Sequence, residues 1–182
     1  MSLRQTSNNG YHPGRGYLVR SAWLVVEGLV FLNPFVPFYG VKRWLLRMFG
    51  ARVGRQLLIK PSVHIKYPWR LTIGDHVWLG ERAWIDNMED VVIGSNVVIS
   101  QGAYLCTGNH DWSNPGMPLS PRPIRVEDGA WVGAFTKVGP GVTIGAESIL
   151  TLGSVCTEDT EPATIYRGIP AAPVRKRQIT SG

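Results

Sequence analysis

From Val53 to Leu150 the chain repeats every six residues. Val53, Ile59, Ile65, Ile73, Leu79, Ile85, Ile93, Ile99, Leu105, Val126, Val132, Val138, Ile144 and Leu150 all fall on one phase of that beat. A helix stripe returns every 3.6 residues and an alternating strand every two, so neither explains a period of six. The period fits a parallel β-helix, in which each unit is one short strand plus a turn and three units close a triangular coil. The first aliphatic of each unit points into the prism. The glycine that often follows marks a corner where a side chain would crowd or a positive φ is needed. Backbone pairing between coils holds them in register, so extra residues belong at corners. Leu71-Thr72 and Val91-Val92 are two such extra pairs.

The beat halts after GNHDW, residues 108–112, and resumes near Val126. The interruption, 111–125, reads DWSNPGMPLSPRPIR, with four prolines and one glycine. It predicts a stiffened loop standing out from a rigid coil, the kind of place where function gathers. His110 sits at its mouth. Stacking sets Asp86 and Asn87 in the layer beneath residues 106–110, where a carboxylate suits a sugar or an imidazole and Asp/Asn also suit plain corner capping. Asn109 and Trp112 flank the histidine, and an indole there suits a sugar ring or a neighbouring subunit. Of the other histidines, His12 lies in a polar tail, and His64 and His76 fall at different phases of their units. They lack the spacing of a three-histidine zinc site of the carbonic anhydrase type, so no metal is expected.

Residues 1–16 read as a flexible polar tail, and 17–50 as a helical segment interrupted by Pro34 and Pro37. One helix is expected over about 18–32 and a second over about 38–49. In the second, Val41, Trp44, Leu45 and Met48 share a face, with Lys42, Arg43 and Arg47 elsewhere. Both helices either pack on the main domain or rest on an anionic membrane surface, since the apolar run is too short and broken to span a bilayer. The net charge of +6 suits anionic groups such as cofactor phosphates or acidic lipids. No nucleic-acid-binding motif is present. Cys106 and Cys156 lack CxxC partners and follow no signal peptide, so a reducing cytoplasm is expected.

The repeat units, with GVTIGAESIL and the ending SVCTEDTEPATIYRGIPAAPVRKR, resemble the hexapeptide-repeat acyltransferase family. WIDNMEDVVIGSNVVISQGAYLCTGNHDWSNPG and IRVEDGAWVGAFTKVGPGVTIG are similar to its colanic-acid-biosynthesis-type O-acetyltransferases. The resemblance implies an all-β fold: a left-handed β-helix over 51–157 with loop 111–125, the N-terminal helical segment, and a C-terminal extension, 158–182, as a short tail or helix. It implies an acetyl-CoA-dependent O-acetyltransferase acting on a sugar hydroxyl, such as that of an exopolysaccharide precursor. His110 matches the family's catalytic histidine, a general base for the hydroxyl. Cofactor positions carry over to Gly133, Ala134, Leu152 and Thr157 along the pantetheine and to Arg175 at a phosphate. Leu152 stands where a small residue is usual, Glu158 where lysine is common and Ala172 where Lys or Arg is common; Arg175, Lys176 and Arg177 offer replacement charge. The resemblance further implies a homotrimer with coenzyme A between subunits; the membrane-leaning N-terminus suits a sugar or lipid-linked oligosaccharide acceptor at the inner face of the cytoplasmic membrane. An antibiotic acetyltransferase of the same fold and a non-enzymatic β-helix scaffold are the alternatives.

Overall fold

In the computed structural model, which describes residues 10–179, the beat closes into a prism. Every first-position aliphatic from Ile59 to Leu150 is at most 2% exposed, so the prism interior is a stack of aliphatic side chains. Seventeen short strands, β1–β17 in chain order, form three faces, parallel throughout except at β17. The first joins β1 (Arg52–Val53), β4 (Leu71–Ile73), β7 (Val91–Ile93), β10 (Ile124–Val126) and β13 (Thr143–Ile144). The second runs from β2 (Leu58–Ile59) through β5 (Trp78–Leu79), β8 (Val98–Ile99), β11 (Trp131–Val132) and β14 (Ile149–Leu150) to β16 (Thr164–Arg167) and β17 (Ala172–Lys176). The third joins β3 (His64–Ile65), β6 (Trp84–Asp86), β9 (Tyr104–Cys106), β12 (Lys137–Val138) and β15 (Val155–Cys156). Pairing keeps one register throughout: Ile65 meets Ile85, which meets Leu105, which meets Val138.

The second-position glycines and the positive-φ residues turn out to be different positions. Gly133, second in its unit, has ordinary backbone, but a Cβ there would stand 2.5 Å from the Leu150 carbonyl oxygen of the next coil. Crowding selects it. The left-handed conformation falls at the fourth position instead, on His76 (φ 57°), Asn96 (φ 58°) and Glu147 (φ 59°) among others. His76 is thus a corner residue.

Three expectations about the extra segments are corrected. Leu71-Thr72 and Val91-Val92 are not corner loops; they lengthen β4 and β7, and Leu71, Val91 and Ile124 stack as a buried ladder. Burying two more aliphatics outweighs leaving them in water. The added length is taken up just before them, by a single helical turn at Pro68–Arg70 and by residues 87–90. The C-terminal extension is neither tail nor helix: β16 continues the second face in parallel with β14, and β17 turns back antiparallel to it. Residues 10–16 are not a free tail. The Tyr11 hydroxyl donates to the Met88 carbonyl at 3.0 Å, and Trp69 and Arg70 donate to the carbonyls of Pro13 and His12 at 2.6 and 2.9 Å. Residues 1–9 lie outside the described part.

At the prism's first end sit α1 (Tyr17–Val26), continued by a π-helical turn over Glu27–Phe31, and α2 (Tyr39–Met48). The amphipathic reading of α2 comes out reversed. Lys42 and Leu46 are fully buried, while Val41, Trp44 and Met48 face solvent. Lys42 lies over the Phe31 ring and reaches the Ile59 and Lys60 carbonyls at 3.5 Å. Burial pushes its ammonium down from the ordinary lysine value. The end of the first coil exposes peptide carbonyls that only a donor can satisfy, and a long amine reaches them where leucine does not. Trp23 does the same on α1, donating to the Ile65 carbonyl at 2.7 Å.

Candidate active site

All three departures from the six-residue beat fall at one corner, between the third and first faces. They are Lys66–Arg70 in the first coil, Asn87–Asp90 in the second and Thr107–Pro123 in the third. Stacked, they build a ledge along one edge of the prism.

The long segment is an arm folded back on itself. Arg122 N–H donates to Thr107 at 3.0 Å, Ser120 N–H to Asn109 at 2.8 Å and Asp111 N–H to Pro118 at 3.0 Å. His110 and Leu119 bridge across it. At its tip, Asn114 accepts from Met117 N–H through its carbonyl (2.8 Å) and from Gly116 N–H through its side chain (2.9 Å). This turn holds Met117 at φ 42° and aims its carbonyl back at His110. The His110 Nδ1 lies 2.7 Å from that oxygen. A carbonyl only accepts, so Nδ1 carries the proton, and the neutral ring leaves a lone pair on Nε2.

Beneath the arm, Asp86 pairs with Cys106 in register, as stacking predicts. Its two oxygens are taken: one accepts from Lys66 Nζ at 2.8 Å, the other from the Tyr104 hydroxyl at 2.9 Å. Burial, then hydrogen bonding to Cys106 and Asp86, pushes the Tyr104 phenol well above the ordinary tyrosine range, so it stays a donor. Orientation of His110 therefore falls to Met117, and Asp86 enters the site as a charge-balanced wall. Asn87 does not enter it. It is fully buried, and its amide clamps Tyr67, accepting from the N–H at 2.9 Å and donating to the carbonyl at 2.6 Å. An extra corner residue leaves a peptide unpaired, and Asn87 satisfies both of its groups.

Asp86, Asn109, His110 and Trp112 line a cavity of about 410 Å³ together with Met88, Cys106, Gly108, Met117 and Leu119. The Asn109 side-chain oxygen caps the His110 N–H at 2.9 Å. Trp112 is 82% exposed, an unused indole face at the cavity rim. Gly133, Ala134 and Leu152 share a separate groove of about 350 Å³ with Trp131 and Ile149. Thr157 and Arg175 do not line it. Thr157 follows β15 at the ledge corner, and Arg175 is exposed on β17. Among the described residues no group of three or more His, Cys, Asp or Glu is placed to hold a metal. Sequence reading missed Lys66, Tyr104 and Met117. The register puts Lys66 directly under Asp86 and was the available signal; nothing in a sequence marks a backbone carbonyl.

The model of the hexapeptide repeat of succinyl-transferase matches residues 70–106. The putative colanic acid biosynthesis acetyltransferase WcaF of Escherichia coli K12 is 35% identical over 94% of this chain and 93% of its own. The chain belongs to the hexapeptide-repeat acetyltransferases. It is an acyltransferase. Among solved structures, a galactoside acetyltransferase in complex with coenzyme A superposes with a TM-score of 0.78 at 25% identity, over 88% of this chain and 82% of that one. The hexapeptide-repeat acetyltransferase VCA0836 of Vibrio cholerae, complexed with acetyl coenzyme A, shares the fold with a TM-score of 0.81 at 23% identity, over 98% of this chain and all of the other.

Proposed function

We propose that this acetyltransferase carries an acetyl group from acetyl-CoA to a sugar hydroxyl of an exopolysaccharide precursor, with His110 as general base. The observation that carries the reading is the 2.7 Å bond between His110 Nδ1 and the Met117 carbonyl. It leaves Nε2 as a lone-pair acceptor in a cavity that also offers Asn109 and the Trp112 ring. Nε2 takes the proton of the acceptor hydroxyl as its oxygen attacks the acetyl carbon. The carbon–sulfur bond then breaks, and the imidazolium returns that proton to the departing thiolate. No covalent acyl-enzyme is needed. Cys106 is half-buried and its thiol donates to the Gly108 carbonyl at 3.5 Å, an ordinary turn contact.

The groove at Gly133, Ala134 and Leu152 fits a narrow, largely apolar pantetheine arm, because the glycine keeps its floor at the backbone. A second copy against the outer face of β5, β8 and β11, where Trp78 and Trp131 are half-exposed, would complete a trimer with the donor between subunits. Thr157 and Arg175 are then assigned to the outer stretch of the donor. The acceptor class draws on the relatives: one is named for colanic acid biosynthesis, another for galactosides.

The test is release of free coenzyme A from acetyl-CoA with a panel of hexoses, deoxyhexoses and lipid-linked oligosaccharides. His110→Ala is expected to lose about 10²- to 10⁴-fold in kcat while still binding acetyl-CoA. Unchanged turnover in that variant removes His110 as the base. Absence of both turnover and acetyl-CoA binding in the wild type moves a scaffold role to the front.

A further inference from the structure

The helical cap wears its apolar side outward. On α1 and the turn after it, Trp23, Glu27 and Phe31 face the first coil, while Leu18, Val25 and Leu29 form the opposite, exposed stripe. On α2 the exposed stripe is Val41, Trp44 and Met48. Between the helices, Phe35 and Phe38 project from the proline-bounded turn at 88% and 64% exposure. A continuous apolar face of this kind on a soluble chain marks something that covers it.

Charge identifies the cover. Residues 1–74 hold eleven lysines and arginines and one acid, Glu27, whereas the remaining residues hold eight cations and twelve acids. Glu27 is buried and spent on the Ile65 N–H at 2.8 Å. Arg15, Arg20, Arg47, Arg52, Arg55 and Lys60 are exposed around the helical end. The cationic excess is thus concentrated at the helical, apolar end; the β16–β17 end, residues 158–182, is nearly balanced with four cations and three acids. A second copy meeting this face with the same face would set cation against cation. An anionic bilayer meets both features at once: acyl chains for the aromatic and aliphatic side chains, acidic head groups for the rim.

We infer that residues 17–49 dock the protein, helical end down, on a membrane surface bearing anionic lipids, without spanning it. No helix among the described residues is long and apolar enough to cross a bilayer. Docking this way has a geometric consequence. His110 lies in the third coil, and coils are spaced about 4.8 Å apart. The cavity then stands roughly 10 Å above the base coil, at one edge, where an acceptor held in the membrane reaches it. The docking stands independently of which hydroxyl is acetylated, so a failed acetyl-transfer assay leaves it intact.

The experiment is co-sedimentation of the full chain with vesicles of phosphatidylcholine alone and of phosphatidylcholine with phosphatidylglycerol. Binding is expected only to the anionic vesicles, and to weaken as salt is raised. Phe38→Asp with Trp44→Asp is expected to weaken partitioning at least about tenfold, and Arg20→Glu with Arg55→Glu by a similar factor. Val174→Asp, exposed at the opposite end, is expected to bind as wild type. Should the aspartate pair fail to fold, brominated acyl chains give a second readout: they quench wild-type indole fluorescence, and Trp44→Phe loses most of that quenching. Wild type that ignores anionic vesicles overturns the proposal, as does binding untouched by the Phe38 and Trp44 changes. So does a drop in subunit number in those variants when the wild type shows no lipid binding, which assigns the face to a second copy.

Discussion

The bond from His110 to Met117 can be weakened without touching either residue. Asn114 holds the arm's tip through its side-chain oxygen on Gly116 N–H, and Asn114→Ala removes that hold. The carbonyl of Met117 then drifts from Nδ1. A neutral hydrogen bond is worth about 0.5–1.5 kcal/mol net, and one from a charged donor about 1.5–3. In the proposed mechanism the ring accepts the hydroxyl proton as a neutral base and becomes cationic. The bond therefore strengthens by about 1–1.5 kcal/mol along the reaction, which corresponds to roughly five- to thirteenfold in rate. Steady-state kinetics on the acceptor identified by coenzyme A release should show kcat lowered by that factor with both KM values nearly unchanged. Asn114→Asp, which keeps an acceptor for Gly116, should restore most of it. A loss as deep as that of His110→Ala, or a change confined to KM, refutes the positioning argument.

Lys42→Met should lower stability by about 1–3 kcal/mol, because it leaves the Ile59 and Lys60 carbonyls at the end of the first coil without a donor. The wild-type lysine is pushed down by burial, so the unfolded chain binds more protons and wild-type stability rises toward pH 10. Thermal melts should show the gap between variant and wild type widening over that range. Asn87→Ala should lower the melting temperature, costing about 2 kcal/mol or more from two unpaired peptide groups at Tyr67. An altered acceptor KM with no thermal effect would instead make Asn87 a substrate ligand. Ala134→Phe, which fills the groove from its wall, should raise the KM for acetyl-CoA about tenfold or more with little change in stability.

What was legible in the chain was whatever repeats. One phase of aliphatics specifies the prism, because register propagates from coil to coil through backbone pairing, and a single aligned ladder such as Ile65–Ile85–Leu105 implies the rest. The halt at GNHDW was legible for the same reason, as a break in a regular pattern. Stacking arithmetic also put Asp86 beneath Cys106. The functions of single residues were decided by tertiary contacts. Asp86 and Asn87 are neighbours of similar type, yet one walls the cavity and the other clamps Tyr67, since adjacent residues of a corner point different ways. The tautomer of His110 depends on a main-chain oxygen seven residues away, and main-chain groups are the same in every sequence. The helical cap shows the limit most plainly. Its 3.6-residue pattern identifies α2 but does not say which side meets the protein, and the unpaired carbonyls at the end of the first coil drew Lys42 inward and turned the apolar stripe out.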